Sequence, residues 1–333
     1  MVGKTRVRLE ERRRVSFACV RDARRRIIPD VFSNLNCEPL PLRLFPENLA
    51  AAKSAGLQGR QRTISEYQYY EFQSIDRGLS QDEIDGLENF SSRAEISESK
   101  FSVEYSYGDF RGNPRKLMEK YFDIGLYYAS WGTTQLLLRF PKQAIQPGEI
   151  DPFLKEIDWV TIWEHGDNII VDIDPYREHF ESYRYWDEEG GQLDAMVPLR
   201  TAAMAGDLRV FYLVWLKAIE CELLTDEHVE PIPGLAPLGG ALEECAHFFE
   251  NDGRLVRAAA QQQPYEDLPS DEIVASRIAE IPEARKNVLL ERLIKGDKGV
   301  AAELRRAIAP KRINQSLRRR TVGELRAIAK KPG

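Results

Sequence analysis

The chain reads as an α+β protein: an N-terminal two-layer α/β sandwich over residues 63–180, then an all-helical domain over 190–333. Three observations predict it. Aromatic and apolar residues alternate at a period of two between Tyr67 and Ile173, as half-buried strands require. Two capped helical segments interrupt those strands. From Leu193 onward the apolar residues recur at helical spacing instead.

Taken in order, Tyr67–Ile75 is rich in strand-forming aromatics. Ser80 with Glu83 makes a capping box, and Ile84, Leu87 and Phe90 follow on one helical face. Phe101, Val103, Tyr105 and Tyr107 alternate with Ser102, Glu104 and Ser106 as a strand. Asn113 and Pro114 supply an N-cap and a first-turn proline, and Leu117, Tyr121, Ile124 and Tyr128 predict one long buried helix ending at Trp131-Gly132. Gln135–Phe140 reads as a strand. Trp159–Glu164 and Ile169–Ile173 form a hairpin across His165-Gly166-Asp167-Asn168, a polar, glycine-bearing turn. This order implies helices on one sheet face, with a ferredoxin-like arrangement among the topologies it allows.

Leu199–Met204 and a helix capped by Asp207, carrying Leu208, Phe211, Trp215 and Ile219, open the helical domain. A proline-rich connector, Val229–Pro237, precedes short amphipathic helices over Leu238–Glu250, Gly253–Gln262, Asp271–Ala279, Glu283–Ile294, Val300–Ile308 and Val322–Lys330. No period of repeat length recurs across them.

The net charge of −6 conceals segregation. Residues 1–62 carry 14 Lys/Arg against 6 Asp/Glu, residues 281–333 carry 15 against 5, and the middle carries 18 against 42. Such asymmetry points to an acidic partner or nucleic acid, or to acidic and basic parts of one chain complementing each other. Residues 1–62, with the triplets Arg12–Arg14 and Arg24–Arg26 and no clear periodicity, read as a basic disordered extension. The plainest explanation is a start site placed too far upstream, with the domain beginning near Ile64; a nucleic-acid-binding arm is the functional alternative. The absence of a long apolar run and of a secretory signal leads to the expectation of a cytoplasmic protein without a membrane span. Cys19, Cys37, Cys221 and Cys245 form no close CxxC pair, so they read as reduced thiols.

The candidate chemistry is sparse. Asp172 and Asp174, two apart on a strand, share a face and with Asp76 or Asp109 could hold a divalent cation. The plainer reading is structural: acidic pairs two apart are common at solvent-facing strand ends, and Pro175 ends this one. Cys221, His228, Cys245 and His247 are of zinc-ligand type, but their spacing matches no short signature. Gly108-Asp109-Phe110-Arg111-Gly112 lacks a phosphate-loop pattern, leaving Arg111 as a weak anion site before a helix. Lys311, Arg312, Arg318, Arg319, Arg320 and Arg326 are dense enough to neutralise several phosphates. The tyrosine strands lack the basic and glycine positions of an RNA-recognition sheet, so their aromatics read as core.

Tyr67–Phe72, Ile75-Asp76-Arg77, Ser91-Ser92-Arg93-Ala94, Gly108–Gly112, Tyr121-Phe122-Asp123, Trp131-Gly132-Thr133 and Gly206-Asp207-Leu208-Arg209 together resemble a family of uncharacterised bacterial proteins. The likeness runs from about residue 65 to about residue 265. It implies a bacterial cytoplasmic protein whose shared region excludes residues 1–62, and it names no reaction. No cofactor is called for. The expectation is a non-enzymatic interaction or scaffold protein with a protein partner. The alternatives are a nucleic-acid-associated protein using the basic C-terminal helix, and a metal-dependent enzyme using acids at strand ends.

Overall fold

A computed structural model of the chain describes residues 67–106, 108, 110–175, 192–266, 269–297 and 299–331, all within the unit Thr63–Gly333. The expectations for residues 1–62, and those for Tyr107 and Asp109, lie outside the described residues.

The described strands are β1 (Gln68–Gln73), β2 (Glu95–Ile96), β3 (Lys100–Tyr105), β4 (Ile124–Ala129), β5 (Thr134–Pro141), β6 (Val160–His165) and β7 (Asn168–Ile173). They form one seven-stranded sheet in the order β2-β3-β1-β4-β5-β7-β6, with every neighbouring pair antiparallel. Helices α1 (Gln81–Glu88), α2 (Pro114–Lys120) and α3 (Pro147–Leu154) are inserted between strands. Eight more follow the sheet: α4 (Gln192–Met204), α5 (Arg209–Glu220), α6 (Gly240–Phe248), α7 (Gly253–Ala259), α8 (Asp271–Glu280), α9 (Glu283–Ile294), α10 (Val300–Ile308) and α11 (Val322–Ala329). The architecture is α+β, with the helical region after the sheet.

Four expectations are corrected. The long helix after Asn113 stops at Lys120, and Ile124–Ala129 is instead the strand paired with both β1 and β5. Leu117, Tyr121, Ile124 and Tyr128 fit a helical stripe, but Ile124, Leu126 and Tyr128 also alternate, and strand pairing on both sides decides between the periods. Gly125 belongs to that solution: a Cβ there would lie 2.6 Å from a Phe72 ring carbon. Second, both sheet faces are covered. Tyr69, Leu126, Leu138 and Val171 enter one core with residues of α3–α5, while Phe72, Phe101, Leu137 and Ile170 enter another with Leu87 of α1 and Leu117 and Met118 of α2. Each fully buried large side chain contributes about 1.5–3 kcal/mol, so both faces stabilise the sheet. Third, the ferredoxin-like arrangement is absent, because β1 and β3, the flanks of α1, are direct antiparallel neighbours rather than the spaced pair of a split βαβ unit.

The fourth correction is the connector. Glu230, Ile232 and Leu235 are buried, and Gly234, at φ +113°, leaves no room for a Cβ, which would stand 2.2 Å from the Gln262 carbonyl oxygen. The segment is part of the core.

Candidate functional site

Two groups of buried charge fasten the molecule. Arg200 of α4 is fully buried and donates through both terminal nitrogens to Asp76, at 2.8 and 2.6 Å, and through Nε to the Arg139 carbonyl at 2.6 Å. Asp123, at the start of β4, accepts from Arg139 at 2.8 Å and from the backbone N–H groups of Ile75 and Asp76 at 2.6 and 2.8 Å. Burial works to raise the Asp123 carboxyl, but the Arg200 and Arg139 guanidiniums outweigh it and hold it below the ordinary range. In the helical region, Glu230 is buried against the Arg320 guanidinium at 3.0 Å and accepts the Tyr212 hydroxyl. Burial, then the Glu230 charge, raises Tyr212 well above its usual value. Arg320 also donates to the Ala258 and Ala259 carbonyls. Every polar group in both clusters has a partner aimed at it, which makes them fastenings between elements.

The sequence-predicted residues are dispersed. Asp172 faces Leu137 and Thr161 across the sheet and accepts a 2.7 Å hydrogen bond from Gln135. Burial pushes its carboxyl up, against that hydrogen bond and the Arg115 charge. Asp174 lies beyond the end of β7 and is exposed, its N–H bonded to the Trp159 carbonyl. Asp76, the acid proposed to join them, is committed to Arg200. Among the described residues no group of three or more His, Cys, Asp or Glu side chains is placed to hold a metal ion. His228 pairs with Glu156 at 2.7 Å, while Cys245 is fully enclosed and its thiol is pushed up to about 12 by burial, then by Glu244. Arg111 is exposed ahead of α2, whose first turn is capped by the Asn113 side chain.

The basic C-terminal set divides. Arg318 is held by Glu324 at 2.6 Å, Arg320 by Glu230 and Arg326 by Asp226 at 2.6 Å. Lys311 lies over the Tyr265 ring, and Arg312 and Arg319 pair with no carboxylate among the described residues. Helix α11 is anchored by buried Val322 and Leu325. Half of the charge read as phosphate-binding is therefore already compensated.

The unexplained surface is elsewhere. Helix α8 has no buried residue, and α9 has only Leu289. Ile273 and Ile278 of α8 are 46% and 43% exposed; Val288, Leu290, Leu293 and Ile294 of α9 are 53%, 56%, 51% and 86% exposed. Leu290, Leu293 and Ile294 stand at i, i+3 and i+4, so they form one stripe continuing the arc begun by Leu289. Polar contacts position the two helices on α10: Arg277 donates to the Ile308 carbonyl at 2.6 Å, and Arg285 and Arg292 share Glu303 at 2.6 and 2.7 Å. Arg306 of α10 in turn reaches the Ala144 carbonyl and Glu149. Between α8 and α10 lies a shallow cleft lined by Arg277, Glu280, Ile281 and Arg312. The sequence marks α8 and α9 as amphipathic helices, which does not state whether their apolar sides are covered. The available signal was the breadth of the α9 arc, five aliphatic residues from Val288 to Ile294.

No helix among the described residues is long and apolar enough to cross a membrane. No protein-family model, curated protein or solved structure matches the chain.

Proposed function

We propose that this is a non-enzymatic interaction protein that engages a protein partner through the apolar faces of α8 and α9. One observation carries the reading: six large aliphatic side chains on consecutive helices stay 43–86% exposed, while both faces of the sheet are filled. Scattered exposed aliphatics are ordinary, but a stripe on a helix with a single buried residue costs free energy in water that a partner recovers on binding. The side chains with the greatest chemical potential elsewhere are already committed. Asp76, Asp123, Glu230 and Arg320 are held in internal pairs, and among the described residues no free nucleophile, base and orienter converge around them.

The test uses the full chain and its Leu290→Asp/Leu293→Asp variant in parallel crosslinking from native lysate. The expected result is a discrete set of crosslinked species, the chain's own copies included, that the variant loses while its circular dichroism is unchanged. Identical crosslinking of the two proteins overturns the reading.

A further inference from the structure

Resting on that docking surface, we infer that its occupant is a second copy of this chain, joined through the α8–α9 face in a two-fold contact. The unpaired charges of α8, of α10 and of the segment just beyond α10 select this partner. Asp271, Glu272 and Glu280 of α8 are exposed and pair with no cation; Arg305 of α10 and Arg312 beyond it are exposed and pair with no carboxylate, among the described residues. The two sets are not remote from each other. Glu280 and Arg312 line the same cleft as Ile281, and α10 packs against both α8 and α9.

Of the possible occupants, an acidic partner or a nucleic acid would satisfy Arg305 and Arg312 but meet Asp271, Glu272 and Glu280. A basic partner would meet the reverse conflict. A two-fold contact brings residue i to j and j to i, so a second copy offers the acids of one chain to the cations of the other, twice, around a shared apolar centre. The remaining charges of α9 do not oppose this. Glu283 with Lys286, Glu291 with Lys295, and Arg285 and Arg292 with Glu303 and Asp297 are paired within the chain.

The contact is small. Helix α9 has 12 residues, hence a length of about 18 Å, and one helix with its side chains is about 10–12 Å across. Standard stable interfaces bury about 800 Å² on each side, so the expected dimer is weak, with a dissociation constant in the micromolar range.

Sedimentation equilibrium on the full chain tests this at low and high micromolar concentration. Wild type is expected to move from one-chain to two-chain mass, and Leu290→Asp to weaken association on the order of ten-fold or more. Two charge-altered proteins make the test specific. Arg305→Glu/Arg312→Glu and Asp271→Lys/Glu280→Lys should each be monomeric alone and form a heterodimer when mixed, because each then carries the sign the other lacks. A monomeric wild type at high micromolar concentration overturns the inference, as does a mixture that stays monomeric. If the wild type is monomeric but Leu290→Asp/Leu293→Asp still loses its crosslinked species, the occupant is another protein; the docking reading survives and the second copy does not.

Discussion

The sheet with its covering helices and the α8–α9 pair use the same kinds of residue to opposite ends. Around the sheet, apolar side chains fill both faces, and even charges are enclosed, with Arg200 at 0% and Asp123 at 1% exposure. On α8 and α9 the aliphatics face water, and the charges form surface pairs, bond to backbone as Arg277 does, or have no partner among the described residues. Enclosure of ion pairs gives one fixed arrangement of elements, because a guanidinium such as Arg200 has few places where all its donors are met. Uncovered aliphatics fix nothing within the chain. The difference separates the part that holds shape from the part left for recognition, and it can be broken from either side.

The largest effect should come from the enclosed charges. Arg200→Ala leaves Asp76 short of its bidentate partner and Asp123 with one guanidinium fewer, and breaking a buried pair by removing one member costs about 3–5 kcal/mol. Denaturant unfolding of the full chain should show a correspondingly lower midpoint. A midpoint shift as small as that of a surface substitution would mean that the cluster is not the fastening its geometry describes.

Acid should act on the same cluster, with a smaller effect. The folded Asp123 carboxyl is held below its usual value, so its contribution is complete above the unfolded value of about 3.9 and is lost as pH falls towards the folded one. Stability of wild type should therefore decline below about pH 4. Arg139→Met removes one of the cations holding the carboxyl down; the variant is less stable at neutral pH, and its decline with acid is flatter. Thermal midpoints across that range check the slope, and parallel curves for the two proteins would remove Asp123 as its source.

How much of this was legible depended on whether local or non-local physics decides. The capping box at Ser80 and Glu83, the Asn113 cap and the β6–β7 hairpin are set by neighbouring residues, and all are present. Ile124–Ala129 was misread because its pattern satisfies two periods, and only pairing with β1 and β5 chooses. Arg200 gave no signal at all: its partner Asp76 is 124 residues away in sequence, and a single sequence does not display such a pairing. The Arg318–Arg320 triplet looked like one basic patch, yet one member is exposed, one surface-paired and one buried. Adjacent residues in an extended segment point in different directions, so density of charge along the chain overstated density in space. Likewise α8 and α9 were correctly amphipathic, but amphipathicity states which side seeks cover and not whether the chain supplies it.

The smallest expected effect is the most discriminating for the uncovered face. Ile294 is 86% exposed, so folding of an isolated chain transfers little of it out of water, and Ile294→Gln should change stability by no more than about 0.5 kcal/mol. A buried aliphatic truncated in the sheet core would instead cost about 2–5 kcal/mol. The measurement must be made dilute, because at higher concentration a partner that binds only the folded chain adds its own free energy to apparent stability. Wild type should then gain stability with concentration while Ile294→Gln does not, and the two should converge on dilution. A deficit that persists at the lowest concentration would mean that Ile294 is already covered by its own chain, and the contrast between the two regions would collapse at that residue.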